Sequence, residues 1–319
     1  MRKSKGWLLA VALSVAAGTL AAQERAIRIV LGFPAGGSSD VLSRLIAEKM
    51  RVALGQPVIV ENKPGAGGRI ATLQVKSAEP DGSTILLAPS STMVIYPHVF
   101  SDLRYDPFAD FTPVAHLTDW QMCFVVGAQV PARNLAEYFS LVKKDSKFAD
   151  YGSPALGSTG HFGGTLLARS AGIELNHIPY KGTAPVVNAL LSGEIAAGSL
   201  VIADVLSQHR SGRLRILAVS GPKRAPFLAE VPTYRELGVN LEFAGWYGLL
   251  APAKTPAAAV ARISKAAIDA VRAPELRERL DGFGLEATGI GPVEFGPRIR
   301  SDFDKWGAAV SVSGYKPTP

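Results

Sequence analysis

Two stretches of this chain place glycine and hydroxyl side chains directly after short apolar runs, a combination that suits anion binding. The first follows the β-branched and aliphatic run 27–31 and precedes apolar residues at helical spacing. Unpaired backbone amides and the helix dipole both favour negative charge at such a junction. The alternative is a tight turn with no ligand. The candidate binding residues of this first loop are Phe33, Pro34, Ala35, Gly36, Gly37, Ser38, Ser39 and Asp40.

The second stretch, 151–161, repeats the arrangement of a strand, a Gly/Ser loop and a helix start. Two helix N-termini facing one cleft would suit a ligand with a carboxylate at each end, with serine and threonine hydroxyls as adjustable donors. Two unrelated capped turns remain the alternative. The candidate binding residues here are Ser153, Gly157, Ser158, Thr159, Gly160 and His161.

Further polar residues follow other predicted strands. Because ligands of parallel α/β sheets bind beyond the carboxyl ends of the strands, these positions are also candidates. A lysine among them could attract an anion, although a solvated loop lysine is the more frequent case. This third group consists of Ser90, Ser91, Tyr180, Lys181 and Asp204.

Patterns for catalysis, metals and cofactors are missing from the sequence. The run 152–158 has Gly-x4-Gly followed by no P-loop lysine, and no G-x-S-x-G elbow occurs. The five histidines are dispersed without H-E-x-x-H spacing. The single cysteine, Cys123, lies in the apolar run 122–126 and is expected to be inert packing. We therefore expect no catalytic residue, no metal and no cofactor.

The elements that position these loops predict an α/β fold with two lobes. Strands alternate with helices, which favours βαβ units and a mostly parallel sheet. Two extended segments, 122–126 and 245–252, indicate that the chain crosses between the lobes twice. The expected division places 23–124 plus 251–319 in a discontinuous first lobe and 125–250 in a second lobe.

Residues 1–22 read as a secretory signal peptide. Arg2, Lys3 and Lys5 precede an apolar run, 7–20, that is too short to span a bilayer comfortably, and Ala21 and Ala22 offer cleavage sites. Its removal leaves 31 basic against 27 acidic residues, a net charge of +4. A mildly basic exported protein is expected, and nucleic acid is not expected as a partner.

Several motifs in order resemble the Bug proteins, the tripartite tricarboxylate transporter substrate-binding receptors. The motifs lie at 33–40, 60–68, 151–161, 179–182 and 246–252, so the resemblance covers essentially the whole chain after the signal segment. It implies a type II periplasmic binding-protein fold with the ligand cleft between two lobes. It also implies binding through 33–40 and 153–161, with backbone and water contacts to a carboxylate. Pro154-Ala155-Leu156 departs from the leaner Gly-rich run typical of the second loop.

The resemblance also implies a function and partners. A periplasmic receptor would capture a small carboxylate, such as a di- or tricarboxylate or an aromatic acid. It would act as a monomer and serve the membrane subunits of a tripartite tricarboxylate transporter or a sensor. The alternative function is an exported α/β enzyme that acts on a small carboxylate. The absence of a recognisable nucleophile–base pair in the sequence favours the receptor.

Overall fold

Strands and helices alternate along the chain in a computed structural model that describes residues 25–318. The expected signal segment 1–22 lies outside the described residues. The strands are β1 (Ile27–Leu31), β2 (Val58–Asn62), β3 (Thr84–Pro89), β4 (Phe111–Gly127), β5 (Asp150–Ser153), β6 (Asn176–Pro179), β7 (Ala197–Val201), β8 (Leu214–Val219), β9 (Ala244–Pro252) and β10 (Glu286–Ile290). The helices are α1 (Ser38–Leu54), α2 (Arg69–Lys76), α3 (Ser90–Val94), α4 (Tyr96–Val99), α5 (Leu135–Lys144), α6 (Thr159–Ala171), α7 (Thr183–Ser192), α8 (Ile202–Arg210), α9 (Ala257–Arg272), α10 (Pro274–Phe283) and α11 (Pro292–Ser313).

The first helix shows how local sequence positions a binding loop. Its apolar residues recur at helical spacing and are buried, and the helix ends at Gly55 in the left-handed conformation that glycine adopts most readily. Ser39 and Asp40 are N-cap residue types, but Gly37, two residues before Ser39, occupies the N-cap position. The Asp40 carboxylate instead accepts a hydrogen bond from the N–H of Gly36 at 3.1 Å.

The strands form one ten-stranded sheet in the order β2-β1-β3-β9-β4-β7-β5-β6, with β8 and β10 each paired to β4. β1 pairs in parallel with β2 and β3, and β5 pairs in parallel with β6 and β7. β4 and β9 run antiparallel to their neighbours. The expected mostly parallel sheet is therefore found only within the βαβ units. The two long strands depart from it: β4 runs from one half of the sheet into the other, and β9 returns the chain to the first half.

Strand β4 belongs to both halves of the sheet. Its first part, Phe111 to Gln121, pairs with β9, and its last part, Met122 to Gly127, pairs with β7 and β8. We propose lobe boundaries at these changes of partner, so that lobe 1 comprises 25–121 and 244–318 and lobe 2 comprises 122–243. The division expected from sequence differs in placing 122–124 in lobe 1 and 244–250 in lobe 2, whereas all of β9 pairs with the lobe 1 strands β3 and β4.

Hydrophobic clusters cover both faces of the sheet in each lobe. In lobe 1, α1 and α9 pack on one face, and α3 and α11 pack on the other. The apolar run with Cys123 is buried as expected, and burial raises the pKa of this thiol. Within residues 25–318, no helix is both long enough and apolar enough to cross a membrane.

Candidate functional site

A cavity of about 70 Å³ lies between the two lobes, at the carboxyl ends of β1, β3, β5 and β7. Its lining combines helix N-termini with apolar side chains, and Asp204 is its one charged residue among those that the structure describes. The lining residues are Phe33, Pro34, Ala35, Gly37, Ser38, Ser39, Pro89, Ser91, Trp120, Met122, Pro154, Ser158, Thr159, Gly160, Thr183, Ala184, Val201, Asp204 and Tyr247.

The first loop presents backbone amides at the N-terminus of α1. The chain turns at Gly36, whose φ of +92° favours glycine. The Ser38 N–H donates to Asp204 Oδ1 at 2.8 Å, a hydrogen bond that joins lobe 1 to lobe 2. The N–H groups of Gly37 and Ser39 have no acceptor within residues 25–318. Two donors at a positive helix end thus remain available to an anion.

The second loop has the same chemistry in lobe 2. The Ser158 hydroxyl accepts from the His161 N–H at 3.2 Å and so caps α6. Over the described part of the chain, the N–H groups of Thr159 and Gly160 find no acceptor. The Thr159 hydroxyl is also buried without a partner. Buried polar groups are nearly always hydrogen-bonded, so these groups are available to a hydrogen-bonding ligand in the cavity.

Aromatic and apolar side chains of the crossing strands form the walls. Trp120 is 4% exposed, and its indole N–H has no partner among the described residues. The Tyr247 hydroxyl lies 2.8 Å from Ser38 Oγ. Sequence reasoning missed Trp120 and Met122 because they belong to an apolar strand that reads as core. The polar residues Thr183 and Asp204 both line the cavity, but only Asp204 was a candidate.

Eight candidate residues lie away from this cavity lining. The Asp40 carboxylate holds the first loop by accepting from the Gly36 N–H, and it also accepts hydrogen bonds from Asn62 Nδ2 and Arg44 Nε. Burial opposes its charge, but these hydrogen bonds hold the pKa of Asp40 below its usual value. Tyr180 and Lys181 line a neighbouring cavity of about 260 Å³. The residues outside the lining are Gly36, Asp40, Ser90, Ser153, Gly157, His161, Tyr180 and Lys181.

Two histidines behind the second loop are held neutral by burial. The rings of His161 and His177 stack with their centroids 4.0 Å apart. His161 Nδ1 accepts from the Gly157 N–H at 3.2 Å, which fixes the loop. Burial lowers the pKa of His161 to about 4, and burial together with His161 lowers the pKa of His177 to about 3.

These two pKa values predict that the protein loses stability as the pH falls from about 6.5 towards 4. The unfolded histidines bind protons there that the folded ones exclude, so the stabilisation is complete only above the unfolded pKa. At pH 5, His161 alone should cost about 2 kcal/mol. Urea unfolding from pH 7.5 to 5 measures the effect. The double variant His161→Gln/His177→Gln should flatten the profile, and an unchanged slope would contradict this assignment.

One serine–histidine pair bears on the enzyme alternative. Ser153 Oγ lies 2.7 Å from His177 Nε2, so the structure brings together two residues that the sequence left far apart. Ser153 has no exposed surface, does not line the cavity and donates to the Ala155 carbonyl at 3.0 Å. A nucleophile must reach its substrate. Within residues 25–318, no cluster of histidine, cysteine, aspartate and glutamate is arranged to hold a metal.

The fold and the cavity define a class of protein. Two α/β lobes, joined by two crossing strands and holding a cavity between them, are the architecture of the type II periplasmic solute-binding proteins. The family model for the tripartite tricarboxylate transporter family receptor, TctC, matches residues 42–314. The chain belongs to this family, which confirms the resemblance to the Bug proteins.

Relatives agree with this membership. A UPF0065 protein of Cupriavidus necator is 36% identical over 265 residues, covering 82% of this chain and 80% of the relative. The structure of the periplasmic binding protein BugD is similar with a TM-score of 0.89 and 32% identity, covering 93% of this chain and 100% of that one. An R. palustris protein with adipate has a TM-score of 0.90 and 29% identity, covering 93% and 99%.

Proposed function

We propose that this protein is a receptor that captures a small carboxylate between its two lobes for tripartite tricarboxylate-type uptake or for sensing. The observation that carries the proposal is the pair of helix N-termini that line one cavity from opposite lobes. The N–H groups of Gly37 and Ser39 lie on one side, and those of Thr159 and Gly160 lie on the other. Backbone amides at helix N-termini bind carboxylates without a basic side chain.

The comparisons support a carboxylate as the ligand. The R. palustris protein, which shares this fold at 29% identity, is described with adipate, a dicarboxylate. Di- and tricarboxylates and aromatic acids are therefore the candidate ligands here. Apolar walls from Phe33, Trp120 and Met122 suit the hydrocarbon part of such a molecule.

The family also supports the location and the partners. Its members are periplasmic binding proteins, and its description names a transporter. We propose that this chain acts in the periplasm as a monomer and delivers its ligand to the membrane subunits of a tripartite tricarboxylate transporter or to a sensor. The choice between transport and sensing depends on that partner and not on the binding chemistry.

We expect small acids to bind without being changed. An acid present at 100 times its Kd should add about 2.7 kcal/mol to the free energy of unfolding. For a protein of this size the melting temperature should rise by roughly 4 °C. Thermal denaturation with mono-, di-, tri- and aromatic carboxylates measures this shift, and mass spectrometry of the recovered acid tests for turnover.

Two outcomes would contradict the proposal. An acid recovered in a chemically changed form, at a rate above background, would favour the exported enzyme. If no acid of the panel raised the melting temperature, the proposal that the ligand is a carboxylate would be wrong. The corresponding alcohols serve as controls, because they lack the charge that the helix N-termini bind.

A further inference from the structure

Asp204 places a carboxylate inside the ligand cavity. It lies in the first turn of α8, directly after the buried strand β7. No other charged residue lines the cavity over the described chain, and no lysine, arginine or histidine of residues 25–318 forms an ion pair with it. An acidic side chain is an unexpected component of a site for acids, because like charges repel.

The contacts of Asp204 leave part of its hydrogen-bonding capacity unused. Its Oδ1 accepts from the Ser38 N–H at 2.8 Å, and its Oδ2 accepts from the Thr183 hydroxyl at 3.2 Å. An ionised carboxylate accepts about four hydrogen bonds. Burial raises the pKa of this carboxyl, and the hydrogen bonds from Ser38 and Thr183 oppose that rise. The group is fixed in position but lacks a cation.

Asp204 also occupies one of the amides that an incoming acid would use. The N–H of Ser38 is bonded to it, and the free N–H groups of Gly37 and Ser39 lie on either side of that bond, next to the acidic side chain. The N–H groups of Thr159 and Gly160 on α6 remain available with no carboxylate bonded between them. A ligand carboxylate is therefore best placed at the N-terminus of α6. The other end of the ligand then lies in the part of the cavity that contains Asp204.

We infer that Asp204 determines specificity, and that the preferred ligand is a small acid whose second polar group is a cationic nitrogen. This inference rests on the proposed function of a carboxylate receptor, and it replaces the second carboxylate of the candidate ligands with a cationic group. An ammonium group would donate to the unused lone pairs of Asp204 and neutralise its charge. A second carboxylate in that place would meet a like charge and find no basic residue among those lining the cavity.

Matched pairs of linear acids test the inference. Each pair has one carboxylate and the same methylene chain, with two to five methylenes, and ends in either a second carboxylate or an ammonium group. Glutarate and 4-aminobutyrate are one such pair. Titration calorimetry at pH 7.5 and low salt should give at least a 10-fold lower Kd for the ammonium member of the best-binding pair.

Two variants test whether Asp204 causes the preference for the ammonium ligand. Asp204→Asn keeps an acceptor for Ser38 but removes the charge, so the preference for the ammonium member should fall at least 10-fold. Asp281→Asn removes an exposed carboxylate on α10, outside the cavity lining, and should leave the preference unchanged. Circular dichroism checks the fold of both variants, and the comparison of ligands in the unmodified protein does not depend on either.

The possible results distinguish a failure of this inference from a failure of the proposed function. Equal or tighter binding of the dicarboxylates, with the same ratio in Asp204→Asn, would overturn the role of Asp204 and leave a carboxylate receptor intact. Binding of no acid at any chain length would overturn the proposed function as well. Preference for the ammonium member that disappears in Asp204→Asn supports both.

Discussion

Replacement of Gly37 by valine is expected to raise the Kd for the ligand at least 100-fold while the protein stays folded. Gly37 is the N-cap of α1, with φ −81° and ψ 169°, a conformation open to any residue. A Cβ there would have Asp204 Oδ1 at 3.9 Å as its one neighbour within 4 Å among the described atoms. The branched side chain would therefore fill the cavity beside the free amides without a collision that unfolds the loop.

Calorimetry on folded variants tests this expectation. Gly282→Val is the matched control, because Gly282 is exposed on α10 and a Cβ there meets nothing within 4 Å. Ser38→Ala should be mild, since it removes at most one neutral hydrogen bond worth roughly 0.5–1.5 kcal/mol. Full affinity in Gly37→Val, combined with loss of binding in Lys181→Ala, would show that a basic side chain holds the anion.

The second large effect concerns stability. Trp246 on β9 is 1% exposed, packs edge-on against Phe295 with ring centroids 4.9 Å apart, and donates from Nε1 to Asp302 Oδ2 at 3.0 Å. Trp246→Ala should lower the free energy of unfolding by about 3–5 kcal/mol, because it leaves a large cavity beside a crossing strand.

Urea unfolding followed by circular dichroism measures this loss. Trp246→Phe is the matched variant, since it keeps most of the packing and removes the indole N–H. Asp302 Oδ2 then keeps its ion pair with Arg298 Nε at 3.6 Å. The free energy of unfolding should therefore fall by only about 1–2 kcal/mol. A free energy of unfolding of Trp246→Ala within 1 kcal/mol of that of the unmodified protein would contradict the claim that the packing of Trp246 on β9 stabilises the fold.

Much of the fold follows from sequence pattern. The alternation of short apolar runs with amphipathic segments predicted the βαβ units, and the two extended segments predicted the crossings. The change of partner after Gln121 could not be predicted, because one continuous strand, β4, runs through it. Strand pairing depends on contacts between distant residues that no local pattern encodes.

The two loops of the candidate site could be predicted from sequence, but the side chains that form the cavity walls could not. Glycine and hydroxyl residues after a strand indicate helix N-termini, and the structure brings the loops around Gly37 and Gly160 to one cavity. The indole of Trp120 was hidden within an apolar strand. Ser153 and His161 read as loop residues, yet the structure buries them, because the second loop turns inward over His177.

A crystal structure of the protein with an acid that raises its melting temperature tests the binding of a carboxylate between the lobes most directly. We predict that the carboxylate oxygens lie within hydrogen-bond distance of the N–H groups of Thr159 and Gly160, with the Trp120 indole on the same ligand. An acid found instead in the neighbouring cavity against Lys181, with the cavity between the two helix N-termini unoccupied, would contradict this site.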